Sequence, residues 1–98
     1  MEAMTLVVIR GRVQGVGYRV WTEVTALERG IEGWVRNRRD GSVEAVFAGD
    51  AEVVAAMILA CNMGPPGSRV DHIEQREATH HEFSLRRPGE LFSVLATF

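Results

Sequence analysis

Short apolar runs alternate with glycine-containing and charged stretches along the whole chain. Thr5–Arg10 is rich in β-branched residues and predicts a strand. From about Tyr18 the apolar spacing becomes helical, and Gly30 lies where a helix is expected to end. The face predicted to cover the core carries Val20, Trp21, Val24 and Leu27. The positions predicted to lie outside are Thr22, Glu23, Thr25 and Glu28.

Two strands joined by a tight turn follow this helix. Ile31–Arg36 predicts one strand and Ser42–Ala48 the next. The residues between them, Arg38–Gly41, end in Asp-Gly, a common hairpin signal. On the later strand, the residues predicted to share the core face are Val43, Ala45 and Phe47.

A second helix follows. Asp50 is a suitable N-cap for it, and the glycines and prolines of Gly64–Gly67 end it. Its predicted apolar face consists of Val53, Val54, Met57, Ile58 and Cys61.

The last third of the chain is more polar. Arg69–Arg76 predicts a strand with Val70 and His72 on one side and Ile73 between them. Residues 78–90 predict a loop, and residues 91–98 are apolar and short enough for a last strand.

The predicted order is β-α-β-β-α-β with a short extra strand at the C-terminus. This order favours an α+β fold of ferredoxin-like architecture, an antiparallel sheet with both helices on one face. A length of 98 residues without a linker predicts one domain, residues 1–98. Because such a fold hosts many activities, the function has to be argued from a site.

Composition narrows the class of protein. A hydrophobic fraction of 46% and a charged fraction of 24% are ordinary for a soluble globular chain. The sequence shows neither an apolar stretch long enough for a membrane span nor a signal peptide. A net charge of −2 argues against a dedicated nucleic-acid binder. The single cysteine, Cys61, excludes an internal disulfide and favours a cytoplasmic setting.

All 11 basic residues are arginines, and the chain has no lysine. This excludes Schiff-base chemistry on lysine, a kinase strand lysine and a Walker A lysine. Any anion that the protein binds must be held by arginine or by backbone N–H groups. The planar fork of arginine suits an oxyanion because it donates two parallel hydrogen bonds.

The glycine-rich segment between the first strand and the first helix is the candidate site. Glycines at Gly15 and Gly17 let successive N–H groups converge at a helix N-terminus, which is the positive end of the helix dipole. A phosphate group suits such a place, and Arg19 can add a charged fork. Taken alone, the same segment is equally compatible with an ordinary tight turn.

Two longer motifs make the chain resemble the acylphosphatases. The first reads Ile9-x-Gly11-x-Val13-Gln14-Gly15-Val16-Gly17-Tyr18-Arg19. The second reads Gly33-Trp34-Val35-Arg36-Asn37-x-x-x-Gly41-x-Val43, with Gly49 at the expected spacing. A third segment similar to the family is Gly64-Pro65-Pro66-Gly67-x-Arg69-Val70. The resemblance covers about the first three quarters of the chain.

The resemblance implies an enzyme that hydrolyses carboxyl–phosphate anhydrides to a carboxylate and inorganic phosphate, the latter being both product and inhibitor. It implies that Arg19 binds the phosphoryl group and that Asn37 orients the attacking water. It also implies a phosphate cradle formed by Gln14, Gly15, Val16, Gly17, Tyr18 and Arg19. The expected substrate is a small acyl phosphate. No cofactor, metal, nucleic acid or membrane is expected to take part, and the protein is expected to be a monomer.

The chemistry agrees with these residue types. A carboxylate leaves as a stable anion, since the pKa of its acid is near ~4, so no general acid is needed. Phosphoryl transfer requires positioning and stabilisation of charge on the phosphoryl oxygens, which N–H groups and one arginine supply. A neutral amide at Asn37 orients water without repelling a dianion. By itself, Asn37 also fits a residue that only stabilises its own hairpin.

Other reactive residues fit structural roles better. Cys61 lies on the apolar helix face and lacks the arginine spacing of cysteine phosphatases, so a buried thiol is favoured. His72, His80 and His81 do not complete a metal-ligand set. Arg36, Arg38 and Arg39 either attract anions to the site or form a solvated hairpin tip.

Three alternatives remain open at this point. The first is a non-catalytic anion-binding module of the same fold. The second is an RNA-binding sheet, which would need exposed aromatic residues on its central strands and a basic face. The third is a partner domain of a larger carbamoyl-phosphate-handling enzyme. Separately, residues 76–90 are longer and more charged than the family pattern suggests, which leaves the register of the last strand open.

Overall fold

The computed structural model describes residues 1–98 and follows the predicted alternation of strands and helices. Its strands are β1 (Glu2–Arg12), β2 (Glu32–Asn37), β3 (Val43–Asp50), β4 (Arg69–Glu77) and β5 (Phe92–Val94). Its helices are α1 (Tyr18–Glu28), α2 (Ala51–Cys61) and α3 (His80–Phe83). No helix is both long and apolar enough to cross a membrane.

The five strands form one sheet in the order β4-β1-β3-β2-β5. The first four pair antiparallel, which confirms the predicted ferredoxin-like arrangement. The extra strand β5 lies parallel to β2, with Gly33 opposite Phe92 and Val35 opposite Val94. The sheet is therefore mixed rather than wholly antiparallel. The cause is that residues 78–91 carry the chain across the sheet before β5 runs in the direction of β2.

The main core lies between one face of the sheet and the helices α1 and α2. Val43, Ala45 and Phe47 point into it from β3, as their alternation predicts. The face of α2 is also confirmed, with Val54, Met57 and Cys61 buried and Val53 and Ile58 packed at the margin. The carboxylate of Asp50 caps this helix by accepting from the N–H groups of Glu52 and Val53 at 3.0 and 3.4 Å.

The predicted core face of α1 is wrong for three of its four residues, and only Trp21 packs against the core, partly buried. Val20, Val24 and Leu27 are exposed, and the residues that face the sheet are Tyr18, Thr22 and Ala26. Thr22 tolerates burial because its hydroxyl donates to the carbonyl oxygen of Tyr18 at 2.8 Å. The rotation of the helix follows from its first residue, since the ring of Tyr18 is buried and small Ala26 lies against the core two turns later.

The predicted alternation in β4 is interrupted by a β-bulge. Arg10 pairs with His72 and Gly11 with Val70, so Asp71 has no partner in β1. The extra residue places Val70 and Ile73 together against the core and leaves His72 exposed. The expectation that Val70 and His72 share a side is therefore wrong.

A second, smaller core covers the other face of the sheet. It consists of Leu6, Val8, Trp34, Val46 and Ala78. Over it lies α3, so the prediction of a loop over residues 78–90 is wrong at His80–Phe83. This helix begins at a capping box, in which Thr79 accepts from the N–H of Glu82 at 3.1 Å and Glu82 accepts from the N–H of Thr79 at 2.9 Å. The indole of Trp34 donates to the carbonyl oxygen of Glu82 at 2.7 Å and joins the helix to the sheet.

Candidate functional site

The ends of β1 and β2 meet at one end of the sheet. These strands run in the same direction on either side of β3, so their carboxyl ends lie side by side. β1 leads into the loop before α1, and β2 ends at Asn37. The fold therefore brings the glycine-rich loop, the start of α1 and Asn37 together from two separate motifs.

Gly15 and Gly17 give the loop its shape. Their φ angles are 74° and 80°, in the left-handed region that favours glycine. A Cβ atom added at either position would meet no atom within 4 Å. The requirement for glycine at these two positions therefore comes from the backbone conformation and not from lack of space.

The backbone N–H groups of this loop have no acceptor in the protein. Gly17 is the N-cap of α1 and has no side chain to cap it, and the first bond of the helix runs from the N–H of Trp21 to the carbonyl of Gly17 at 3.1 Å. No hydrogen bond within the chain uses the N–H groups of residues 14–17. Free donors at the positive end of a helix form a place for an anion.

Arg19 lies in the first turn of α1 and is half-buried. It forms no ion pair and no hydrogen bond with another residue, whereas seven other arginines are paired with carboxylates. Its guanidinium is therefore available to a bound anion without first breaking an internal contact.

Asn37 contributes the other functional group. Its side-chain oxygen Oδ1 is buried and has no hydrogen-bond partner, the one such buried side-chain atom in the protein. Buried polar atoms are nearly always satisfied, so an orphan acceptor marks a place for a donor from outside the chain. The backbone of Asn37 is held in place, since its carbonyl oxygen accepts from the N–H of Phe98 at 2.9 Å.

A pocket of about 130 Å³ joins these groups. Its walls are formed by Val13, Gln14, Gly15, Gly17, Tyr18, Arg19, Val20 and Asn37. Neither a carboxyl group nor an imidazole is among them. Val16, also a predicted cradle residue, packs its side chain against the core, so it offers the pocket only its backbone.

Tyr18 anchors the start of α1. Its hydroxyl donates to the carbonyl oxygen of Cys61 at 2.6 Å, and burial raises the pKa of this hydroxyl far above its usual value. A Cβ atom at Gly64 would lie 2.6 Å from the tyrosine ring, so glycine is needed beside it. The tyrosine therefore serves packing, and its hydroxyl is not available to the pocket.

Cys61 is a core residue, as the sequence favours. Its side chain is fully buried, and this burial raises the pKa of the thiol to about 12. Because a nucleophilic cysteine must be accessible and ionised, Cys61 is excluded as a nucleophile.

The side chain of Gln14 points at the hairpin that follows Asn37. Its amide nitrogen Nε2 donates to the carbonyl oxygens of Arg38 and Ser42, each at 2.8 Å. The sequence gives no sign of this contact, because the partners lie 24 and 28 residues away. A local signal does exist for the hairpin itself, where Asp40 accepts from the backbone N–H of Ser42 at 2.9 Å.

The three arginines around Asn37 differ in their surroundings. Arg36 pairs with Glu44 at 2.7 Å and stacks on the rings of Trp34 and Phe98, on the sheet face away from the pocket. Arg38 pairs with Asp40 at 3.7 Å, and Arg39 is exposed. Arg36 therefore takes no part in the pocket.

The histidines lie apart from the pocket. His72 is on the edge strand β4 beside Glu74 at 3.3 Å, and His80 and His81 belong to α3 on the opposite face. The structure brings no three His, Cys, Asp or Glu side chains together in a metal-binding group.

Gly11 and Gly33, both in the family-like motifs, are required by close packing of strands. A Cβ atom at Gly33 would lie 1.8 Å from the carbonyl oxygen of Val46, and one at Gly11 would lie 2.2 Å from that of Arg69. Both glycines also have positive φ, at 146° and 134°. These positions therefore shape the sheet that carries the site and do not contact the pocket.

Comparison with known proteins gives one consistent result. The acylphosphatase family model matches residues 5–86, so the match ends before β5. A curated acylphosphatase of Bradyrhizobium diazoefficiens is 60% identical over 98% of this chain and 97% of its own length. A curated acylphosphatase of Nitrobacter winogradskyi is 55% identical over the same shares.

Solved structures agree. The acylphosphatase from Bacillus subtilis is 32% identical, with a TM-score of 0.81 over 97% of this chain and 99% of that one. The acylphosphatase from Coxiella burnetii is 28% identical, with a TM-score of 0.82 over 96% of this chain and 93% of that one.

Proposed function

The chain belongs to the acylphosphatase family and is an acylphosphatase, and we propose that it cleaves the carboxyl–phosphate bond without a metal. In this proposal the loop and Arg19 hold the phosphoryl group, and Asn37 orients the attacking water. The observation that carries it is that Asn37, whose Oδ1 has no partner within the chain, lines the same pocket as a loop with free N–H groups.

The phosphoryl group binds where positive potential is concentrated. Residues 14–17 and the first turn of α1 supply N–H donors, and Arg19 supplies the charge. As charge shifts among the phosphoryl oxygens in the transition state, these fixed donors stabilise it with little rearrangement. Gln14, Val16 and Tyr18 contribute through their backbone, because their side chains are engaged elsewhere.

Asn37 places the water. Its Oδ1 accepts a hydrogen bond from the water and so fixes the direction of an oxygen lone pair towards phosphorus. A carboxylate at this position would repel the negative phosphoryl group, whereas an amide orients the water without adding charge. No donor of the chain competes for Oδ1, so the acceptor is free for a water.

No general acid is required on the other side of the bond. The leaving carboxylate has a conjugate acid with a pKa near ~4 and departs as an anion at neutral pH, while the proton lost by the attacking water stays with the phosphate product. This agrees with a pocket whose walls contain neither a carboxyl group nor an imidazole. The hydroxyl of Tyr18 does not serve as the acid, since it is buried and donates to the carbonyl of Cys61.

The proposal also includes a monomeric, cytoplasmic protein that acts on a free small acyl phosphate. The single cysteine supports the setting. Sedimentation of the purified chain tests the monomer.

The leaving group provides the test of this function. Benzoyl phosphate and phenyl phosphate present similar rings, but the phenoxide of the latter has a conjugate acid with a pKa near ~10 and leaves poorly without a proton donor. We expect hydrolysis of benzoyl phosphate in excess EDTA and no turnover of phenyl phosphate. Comparable rates on both substrates would show a general acid that this mechanism lacks.

A further inference from the structure

The side-chain amide of Gln14 connects the glycine-rich loop between β1 and α1, hereafter the phosphate loop, to the segment that follows Asn37. Nε2 has two hydrogens and two acceptors at 2.8 Å, the carbonyl oxygens of Arg38 and Ser42. These carbonyls are on opposite sides of the hairpin. One side chain of the loop therefore bridges the two sides of the hairpin turn, directly beyond the ends of β2 and β3.

Both carbonyls also take part in the hairpin's own hydrogen bonds. The carbonyl of Ser42 accepts from the N–H of Arg38 at 2.9 Å, and the carbonyl of Arg38 accepts from the N–H of Gly41 at 3.1 Å. Gln14 adds a second donor to each of them. Gln14 thus ties the hairpin directly to the loop, whereas the hairpin's internal bonds fix only its own shape. The hairpin is also held by the contact of Asp40 with Arg10 on β1 at 3.4 Å and by the backbone bonds of Asn37 and Arg39 with Phe98.

This geometry leaves the side chain of Gln14 without a donor for a phosphate. Both hydrogens of Nε2 are used, and the remaining polar atom, Oε1, is an acceptor that an anion would repel. To bind substrate, the amide would have to release the hairpin. Its contribution to catalysis therefore differs from that of the backbone beside it.

We propose that the side chain of Gln14 is a positioning residue, which holds Asn37 at the correct distance from the phosphate loop. Asn37 directly precedes Arg38, so a shift of the Arg38 carbonyl shifts the backbone that carries the Asn37 amide. The proposal rests on the function assigned above to Asn37 and Arg19. A displacement of about 1 Å between reacting groups lowers the rate by up to about 100-fold, so a contact that fixes the position of Asn37 has a measurable effect on kcat.

The test replaces Gln14 by methionine, which has similar length and no N–H donor. For Gln14→Met we expect kcat for benzoyl phosphate to fall about 10- to 100-fold, since the water is misplaced. The inhibition constant of inorganic phosphate should stay within about twofold of the wild-type value, since the backbone cradle and Arg19 remain. Gln75→Ala is the matched control, because the side chain of Gln75 is exposed on β4 and forms no hydrogen bond; it should change neither value.

Two further variants separate the possible failures. Asn37→Ala should share the pattern of Gln14→Met, and Arg19→Ala should instead weaken phosphate inhibition. If Gln14→Met weakens phosphate inhibition in proportion to the loss of kcat, its side chain belongs to the cradle and the proposal is wrong. Unchanged kcat would also overturn it. Full activity of Asn37→Ala would contradict the proposed function itself, whatever Gln14→Met does.

Folding is followed separately. Each variant is compared with wild type by urea unfolding, and kinetics are measured where the folded form dominates. If Gln14→Met does not fold, Gln14→Ala is used, because it removes the same donors without placing a longer side chain against the hairpin. The criteria for kcat and for phosphate inhibition remain the same.

Discussion

The hydroxyl of Tyr18 donates a 2.6 Å hydrogen bond to the carbonyl oxygen of Cys61, and this bond joins the start of α1 to the end of α2. Tyr18 directly follows the N-cap glycine of the phosphate loop. The contact therefore fixes both the rotation of α1 and the place where its free N–H groups point. This hydrogen bond runs to the backbone of Cys61, so it does not require a thiol at that position.

Replacement of Cys61 by serine separates packing from chemistry. A buried hydroxyl without a partner destabilises a protein by about 1–3 kcal/mol, whereas the carbonyl that Tyr18 binds remains. We expect a lower free energy of unfolding in urea and an unchanged kcat for benzoyl phosphate. Loss of activity in a folded Cys61→Ser protein would show a role for the thiol that its burial excludes.

Replacement of Arg19 by alanine removes the one side-chain charge in the pocket. Arginine contacts to a transferring phosphoryl group contribute about 10³-fold or more to the rate, so kcat/KM should fall by at least that factor. Loss of a charged hydrogen bond of about 1.5–3 kcal/mol should also weaken phosphate inhibition by about 10- to 100-fold.

Arg29→Ala is the control for this experiment, because Arg29 lies at the other end of α1 and has no ion pair. It should leave both quantities unchanged. Phosphate inhibition that is equally strong in Arg19→Ala and in wild type would show that the anion binds elsewhere.

The hairpin next to Asn37 should lose stability in acid. The hydroxyl of Ser42, which donates to Asp40 at 2.5 Å, is the main cause that lowers the pKa of this carboxyl from 3.8 to about 2. The backbone N–H of Ser42 and the charged side chains of Arg38 and Arg10 also lower the pKa of Asp40. A depressed pKa means that the contribution to stability is present above pH 3.8 and is lost as the pH falls through about 2.

Urea unfolding at pH 5 and at pH 2 measures this loss. Arg76 similarly lowers the pKa of Glu82 to about 2, so other carboxylates contribute to the total change. The comparison that isolates the hairpin is Asp40→Asn, which should show a smaller loss of stability between the two pH values than wild type. An identical loss in both proteins would show that the hydrogen bonds of Asp40 do not favour its charged form.

The candidate site could be predicted from sequence because its chemistry depends on residue types at strand ends. Gly15, Gly17 and Arg19 stand at a junction of strand and helix, and Asn37 closes a strand before an Asp-Gly turn. Each local pattern is weak, and the two motifs together carry the prediction. The sheet of four antiparallel strands could also be predicted from sequence, because the alternation of apolar residues on β3 and their helical spacing on α2 are strong signals.

Other features depend on contacts that no local pattern shows. The rotation of α1 follows from the bond between Tyr18 and Cys61, which are 43 residues apart. It exposes most of the apolar face that periodicity favours, namely Val20, Val24 and Leu27. The bulge at Asp71 shifts the alternation in β4. In contrast, α3 has a sequence signal that would have found it, because Thr79 and Glu82 have the spacing of a capping box.

The role of Asn37 as the residue that orients water is the central claim, and one experiment tests it most directly. Hydrolysis of benzoyl phosphate is measured for wild type and Asn37→Ala in excess EDTA, together with binding of inorganic phosphate. We predict wild-type turnover that survives chelation, a loss of kcat of about 100-fold or more in Asn37→Ala, and phosphate binding that is largely retained. Turnover by a folded Asn37→Ala protein at the wild-type rate, or wild-type activity that EDTA abolishes, would contradict the mechanism.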